Sequence, residues 1–184
     1  MSFLSLNELI SIGFKSIGTN VKISRFARIN NASNIIIGNN IRIDDFSLLS
    51  SGSEPFIIEN YIHIATGVYI WGHKGIHIKS YSNISSGTKI YTQSDSYCGN
   101  YLIGPTVDNK YRKVYGSPLN IEKHVIIGAG SVILPGAVLN EGVAIGSNSL
   151  VYKECKPWSI YGGSPVKFLK ERSKGVLELE KEFS

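Results

Sequence analysis

An aliphatic residue recurs at every sixth position through most of this 184-residue chain. A helix would repeat its apolar residues every three to four positions, and a simple strand every two. The period therefore predicts a solenoid of short strands in which three hexads form one triangular coil. The longest unbroken run consists of Ile121, Ile127, Ile133, Leu139, Ile145 and Val151. Shorter runs with the same spacing are Ile17, Ile23 and Ile29; Ile37, Ile43 and Leu49; Ile58, Ile64 and Ile70; and Ile78, Ile84 and Ile90.

Small and β-branched residues follow the aliphatic ones four places later, where they would point inward beside the corners of each coil. They are Val21, Val68, Thr88, Val125, Ser131, Ala137, Val143 and Ser149. Glycines such as Gly67, Gly87 and Gly130 suit turns where the backbone takes a positive φ or leaves no room for a side chain. A β-sandwich is the alternative, but its strands are bounded by turns about 8–12 residues apart. We therefore expect an all-β fold built as a parallel β-helix.

The chain length favours a single domain over residues 1–184, because a second domain of ordinary size would not fit. We assign residues 17–157 to the coils. Residues 1–16 form an N-terminal cap, in which Ser5 and Glu8 have the spacing of a capping box at the start of a helix. Residues 158–184 form a tail, and the apolar positions between Phe168 and Phe183 predict a short C-terminal helix that Gly175 interrupts.

Three insertions break the repeat, near residues 51–55, near residues 71–76 and, as a long loop, at about residues 92–119. A solenoid extrudes its extra residues as loops, and a loop this long is usually functional or disordered. This one contains four tyrosines, which favour an ordered loop that makes contacts: Tyr97, Tyr101, Tyr111 and Tyr115.

The formal net charge is +5, yet the basic residues of the last third alternate with glutamates and form no continuous basic run. This pattern fits a small anionic ligand better than nucleic acid. The two cysteines, Cys98 and Cys155, have no framework spacing, so we expect free thiols in a reducing compartment. No apolar run approaches the length of a spanning helix, and the acidic start is unlike a signal peptide. We expect a cytoplasmic protein with no stable membrane insertion.

Three segments carry a resemblance to a known family: IGAGSVILPGAVL at residues 127–139, AIGSNSLVYKE at 144–154 and IYGGSPVK at 160–167. They resemble the hexapeptide-repeat acyltransferases, in particular the galactoside and maltose acetyltransferases and the polysaccharide O-acetyltransferases. The resemblance implies a left-handed β-helix, a homotrimer with active sites between subunits, and acetyl-CoA as the co-substrate with no metal. Its diagnostic part covers about residues 121–171.

The same resemblance implies where coenzyme A lies. Ala129 and Ser147 would be the small residues beside the pantetheine arm, and Tyr152 and Lys153 would follow on the next coil. The lysines that would meet the phosphates are Lys167 and Lys170. The chemistry agrees, because a thin arm needs side chains that do not block it and a phosphate needs cationic or N–H donors.

The sugar acetyltransferases use a histidine of the long loop to take the proton from the acceptor hydroxyl. The loop of this chain opens with QSDSY at residues 93–97 and contains no histidine, and Asp95 lies at or next to the expected place. His73, in the insertion before the loop, and His124, just after it, are the other candidate bases. An amine acceptor needs less help from a base than a hydroxyl does. We therefore favour N-acetylation of a sugar or nucleotide-linked amino sugar, with O-acetylation of a sugar hydroxyl as the alternative.

The motifs of the loop and the tail most resemble those of the acyltransferases of surface-polysaccharide (O-antigen or capsule) synthesis. That branch of the family includes dTDP-4-amino-4,6-dideoxyglucose acetyltransferases. Two other classes stay open from the repeat alone. One is a γ-type carbonic anhydrase, which needs three zinc-binding histidines whose spacing is not matched here. The other is a purely structural β-helix, which would have no need of the tyrosine-rich loop. His63 and His77 are interpreted as ordinary surface residues.

Overall fold

The computed structural model describes residues 2–183, which form a parallel β-helix of seven coils. Its strands stack into three sheets, called here the first, second and third faces. The first face contains Ser16–Ile17, Ile35–Ile37, Phe56–Ile58, Ile76–Ile78, Leu119–Ile121, Val138–Leu139 and Glu154–Cys155. The second contains Val21–Ile23, Ile41–Ile43, Ile62–Ile64, Asn83–Ile84, Ile126–Ile127, Ala144–Ile145 and Ser159–Gly162, with Lys167–Glu171 added at its end. The third contains Arg28–Asn30, Leu48–Ser51, Tyr69–Gly72, Lys89–Tyr91, Val132–Ile133 and Leu150–Val151.

The six-residue aliphatic period forms the core, as the sequence predicts. Equivalent residues stack from coil to coil, so that Ile84 pairs with Ile127 and Ile127 pairs with Ile145. All of the predicted axial residues are buried except Ile17 and Ile29 of the first coil, which are half-buried. Those two residues have a neighbouring coil on one side only. At Ile23, the buried axial residue of the same coil, the N-terminal segment pairs with the chain from the other side.

A short helix, Leu6–Ile12, covers the first coil. Ser5 caps it as predicted, because its hydroxyl accepts the Glu8 N–H while the Glu8 carboxylate accepts the Ser5 N–H. Gly13 ends the helix in the left-handed region at φ 77°, where a residue without Cβ is least strained. Leu9 is the buried residue of this helix, and it joins the core cluster of the coils.

The C-terminal segment differs from the prediction. Residues Lys167–Glu171 form a strand antiparallel to Ser159–Gly162, and only Val176–Phe183 is helical. The last coil leaves an open strand edge, and pairing this edge satisfies its backbone groups in a way that a helix could not. The coils therefore extend to residue 162 rather than 157, and Gly175 precedes the helix instead of interrupting it.

The long loop is ordered around a two-stranded antiparallel hairpin, Gln93–Asp95 with Val114–Gly116. The third-face strand before it ends at Tyr91, and the first-face strand after it begins at Leu119. Between residues 2 and 183, two 3₁₀ turns are found, at Ala32–Asn34 and, within this loop, at Asn109–Tyr111. Neither helix of the described residues is long and apolar enough to cross a membrane.

Candidate functional site

Small residues line the corner between the second and third faces. We call Ser85, Ser86, Gly128, Ala129, Gly146 and Ser147 the small-residue edge. Consecutive coils are joined there by backbone hydrogen bonds, from Gly130 N–H to the Ser86 carbonyl (2.9 Å) and from Asn148 N–H to the Ala129 carbonyl (2.8 Å). Ala129 and Ser147 are both exposed on this corner, one coil apart. The structure therefore brings together the two small residues predicted to flank a pantetheine arm.

The coils approach one another closely along this edge. A Cβ on Gly128 would lie 2.5 Å from the Ser147 backbone nitrogen, which is too short for a real contact. The glycine is thus required by the stacking of the coils, and it also leaves the surface without a protruding side chain. An extended ligand could follow the edge without meeting a bulky group.

The two predicted phosphate-binding lysines lie at the end of the small-residue edge. Lys167 pairs with Gly162 and Lys170 with Ile160, so both stand on the last strand of the second face. Both side chains are exposed. Lys167 is the nearer of the two to the corner, because the strand begins there and runs back across the second face. The geometry matches a ligand whose charged end reaches the last coil.

Asp95 lies on the other side of the third face, at the corner with the first face. Its carboxylate Oδ2 accepts the N–H of Gly104 at 3.0 Å, which ties the hairpin to the far part of the loop. Two cavities border this aspartate, of about 590 Å³ and about 390 Å³. The larger is lined by Ser94, Asp95, Ser96, Tyr97, Gly99, Tyr101, Leu102, Ile103 and Gly104. A carboxylate between a tyrosine-rich cavity and the coil surface can orient or deprotonate an amine.

Tyr152 and Lys153 lie at this same corner, and not beside Ala129 and Ser147. Tyr152 lines the smaller cavity with Asp95, Tyr97 and Tyr115. The third face separates the two groups by about five residues of extended strand, or ~17 Å. One subunit therefore does not bring Tyr152 or Lys153 to the small-residue edge.

His73 supports the loop from the preceding coil. Its Nε2 lies 3.1 Å from the Ser50 hydroxyl, and its Nδ1 lies 3.3 Å from the Gln93 amide nitrogen. Because the amide nitrogen can only donate, Nδ1 accepts and Nε2 carries the proton. His73 thus links the third-face strand Leu48–Ser51 to the strand that contains Asp95, and it is outside the residues that line either cavity.

His124 lies at the third corner, between the first and second faces, away from the loop. Its side chain is only 2% exposed, and Nε2 lies 2.8 Å from the Glu180 carboxylate of the C-terminal helix. The ring stacks on Tyr81 at 5.4 Å and packs against Trp158. The structure therefore separates His124 from Asp95 and His73, and its contacts attach the C-terminal helix to the coils.

Tyr91 ends the third-face strand from which the loop leaves the coils. Burial, with a smaller contribution from Tyr97, raises the pKa of Tyr91, so its hydroxyl stays protonated at neutral pH. Cys98 is exposed and Cys155 is buried, and neither forms a disulfide. Within residues 2–183, no group of three His, Cys, Asp or Glu side chains is close enough together to hold a metal ion.

Comparison with known proteins assigns the family. A family profile described as Bacterial transferase hexapeptide (six repeats) matches residues 119–153. The chain is 45% identical to the dTDP-4-amino-4,6-dideoxy-D-glucose acyltransferase of Escherichia coli over 183 residues, which cover 100% of this chain and 95% of that protein. The chain belongs to the hexapeptide-repeat acyltransferases. The enzyme class expected from residues 121–171 is confirmed.

Solved structures of AntD, an N-acyltransferase from Bacillus cereus, resemble this acyltransferase over nearly its whole length. A variant of AntD in which cysteine replaces a serine, in complex with dTDP-4-amino-4,6-dideoxyglucose and coenzyme A, has a TM-score of 0.95 and 45% identity, covering 99% of this chain and 96% of that one. AntD with dTDP and 3-hydroxybutyryl-CoA has a TM-score of 0.94 and 46% identity, with coverage of 99% and 96%. The fold of this acyltransferase is therefore that of an enzyme solved with both a nucleotide and an acyl-CoA.

Proposed function

We propose that this enzyme transfers an acyl group from acyl-CoA to the 4-amino group of dTDP-4-amino-4,6-dideoxyglucose. The observation that carries the proposal is the near-complete match, in sequence and in structure, to acyltransferases named for that amino sugar. The loop supports an amine rather than a hydroxyl acceptor, because Asp95 occupies the cavity where a hydroxyl-activating histidine is expected.

In the proposed reaction the neutral amine nitrogen attacks the thioester carbon. A C–N bond forms, the C–S bond breaks, and coenzyme A leaves as a thiolate that takes up one proton. The amine nitrogen loses the equivalent proton, and the Asp95 carboxylate is the group of the loop suited to accept it. The products are the amide of the sugar and free coenzyme A, and no metal or redox cofactor is needed for the balance.

The active site is proposed to lie between two subunits of a homotrimer. Asp95 and Tyr152 flank one side of the third face, whereas Ala129 and Ser147 flank the other, ~17 Å away. A thioester on the edge of one subunit cannot reach the carboxylate of the same subunit across that distance. The site is complete if the loop of a second subunit packs against this edge. In a closed symmetric trimer each subunit can contact the next in this way.

The donor and the acceptor proposed here are both charged nucleotide derivatives dissolved in the cytoplasm, and we propose that the enzyme acts there. An acylated dTDP-sugar is a precursor for a glycosyltransferase. We infer a role in surface-polysaccharide synthesis on that chemical ground.

A substrate panel tests the function. Purified enzyme is incubated with dTDP-4-amino-4,6-dideoxyglucose or dTDP-glucose and with acetyl-CoA or 3-hydroxybutyryl-CoA, and release of free thiol is followed. We expect release with the amino sugar and none with dTDP-glucose, which has a hydroxyl in place of the amine at C4 and a further hydroxyl at C6. Release with dTDP-glucose alone would favour O-acylation instead.

Replacing both Lys167 and Lys170 by Ala is expected to raise the KM for acyl-CoA by about tenfold, because charge-assisted contacts to phosphate are lost. The KM for the amino sugar should change much less, and steady-state kinetics with each substrate varied in turn separates the two. Lys15→Ala is the matched control, since Lys15 is exposed at the first coil. An unchanged KM for acyl-CoA in the double variant removes these lysines from the site.

A further inference from the structure

A line of polar side chains crosses the second face from the second coil to the small-residue edge. Arg42 Nε donates to Asp44 Oδ1 at 2.7 Å, and His63 Nε2 lies 2.8 Å from Asp44 Oδ2. His63 Nδ1 lies 3.1 Å from Asn83 Oδ1, and Asn83 Nδ2 donates to the Ser85 hydroxyl at 3.3 Å. His63, interpreted from sequence as an ordinary surface residue, is therefore the centre of a hydrogen-bond relay that ends at Ser85.

Asp44 fixes which atom donates and which accepts at one end of this relay. Its side chain is 7% exposed. Burial raises the pKa of Asp44, but hydrogen bonds from Arg42 and His63 outweigh that effect and leave the pKa below its usual value. Asp44 is consequently a carboxylate at neutral pH and can only accept, so His63 Nε2 must carry a proton.

The orientation of the Asn83 amide then determines what Ser85 can do. The amide oxygen lies 3.1 Å from His63 Nδ1, and the amide nitrogen donates to the Ser85 hydroxyl oxygen at 3.3 Å. Because Ser85 accepts this bond, its own O–H is free to donate elsewhere. If the amide were turned over, Ser85 would donate to the amide oxygen instead and its proton would no longer be free.

Ser85 lies at the end of the small-residue edge opposite the two lysines. The pairing of Ile84 with Ile127 and of Ile127 with Ile145 places Ser85 in line with Gly128 and Gly146. With phosphates at Lys167, the arm of acyl-CoA would pass Ser147 and Ala129 in turn. Three coil spacings, ~14 Å, separate the last coil from that of Ser85. The thioester would therefore lie beside Ser85.

We propose that His63, held by Asp44 and acting through Asn83, is a positioning residue that keeps the Ser85 hydroxyl free to donate to the thioester carbonyl of bound acyl-CoA. This inference rests on the proposed function. As the amine attacks, negative charge develops on the carbonyl oxygen, and a donor already directed at that oxygen stabilises the transition state more than the ground state.

Other ionisable groups face His63 across a cavity of about 350 Å³ on the second face. They are Tyr61 and Tyr81 from the neighbouring corner, His124 behind them, and Arg172 from the tail. Arg172 donates to the carbonyls of His124 and Gly142, at 2.7 Å and 3.0 Å. The carboxylate that contacts His63 directly is Asp44.

A double-mutant cycle tests the relay. Ser85→Ala is expected to lower kcat by about 10²-fold, the usual effect of removing one transition-state donor. His63→Gln should lower kcat by about tenfold with an unchanged KM for acyl-CoA, and it should have no further effect in the Ser85→Ala background. His77→Gln is the matched control, because His77 also bonds a carboxylate, Glu59 at 2.7 Å, but on the first face.

Asn83→Asp supplies an independent variant, since it keeps the shape of the side chain but turns the donor facing Ser85 into an acceptor. It should lower kcat about as much as Ser85→Ala does, with an unchanged thermal unfolding midpoint. Fully additive effects of His63→Gln and Ser85→Ala, or wild-type kcat in Asn83→Asp, overturn the relay. Activity of the wild type on the amino sugar is measured in parallel, so failure of the relay is distinguished from failure of the proposed function.

Discussion

Asp95→Asn is expected to lower kcat by about 10²- to 10⁴-fold, the range that a well-placed general base contributes. Asparagine has nearly the same shape and retains an oxygen that can accept the Gly104 N–H, so the loop should keep its conformation. It cannot take up a proton from the amine. The KM for acyl-CoA should stay within about threefold, because this side chain is proposed to contact the amine of the acceptor rather than the cofactor.

Initial rates of coenzyme A release, with the amino sugar and acyl-CoA each varied, measure this effect. Asp108→Asn is the matched control within the same loop, where Asp108 only caps the turn at Lys110 through a 2.9 Å bond. We expect near wild-type kcat for the control. Wild-type kcat in Asp95→Asn would reject the carboxylate as a proton acceptor.

Mixed trimers are expected to restore activity to a pair of inactive variants. Asp95→Asn disables the loop, and Ala129→Trp fills the small-residue edge where the arm would lie. If each site takes its loop from one subunit and its edge from the next, random mixing in equal amounts leaves both walls intact at about one site in four. Coexpression of the two variants under different affinity tags, followed by sequential purification, should recover activity far above that of either homotrimer.

The control pair places both substitutions on the same wall. Ala129→Trp mixed with Ser147→Trp leaves every edge blocked, so no activity should return. If loop and edge of a single subunit formed the site, the first pair would also stay inactive. A monomer in light scattering would remove the basis of the experiment altogether.

The sequence predicted the coils because the hexad is a local pattern with one physical explanation. A residue such as Ile127 recurs in phase only if successive turns of chain stack on one another. The capping box of Ser5 and Glu8 is likewise local, and it was predicted correctly. The strand Lys167–Glu171 was not, since its sequence KFLKE lacks the alternation of a half-buried strand and fits a helix face equally well. The open edge of Ser159–Gly162 decided its conformation, and that edge exists only in the folded chain.

The sequence predicts the position of a site residue where the six-residue repeat fixes the corner of the coil on which that residue lies. Ala129 and Ser147 occupy equivalent hexad positions and therefore share a corner, as expected. His124 has no such relation to Asp95, because sequence proximity to the loop does not reveal which corner a residue occupies. His63 and Asn83 are separated by 20 residues, one coil, and this spacing was the available signal that they are neighbours.

The constant rise of the coils fixes the length of the small-residue edge. Each coil advances the chain by one strand spacing, ~4.8 Å, so the small-residue edge from Ser85 to the last coil is three spacings long. In the proposed complex that interval measures the cofactor from its thioester to its phosphates. Loops can lengthen or shrink without disturbing it, whereas loss of one coil between them would leave the cofactor too long for its groove.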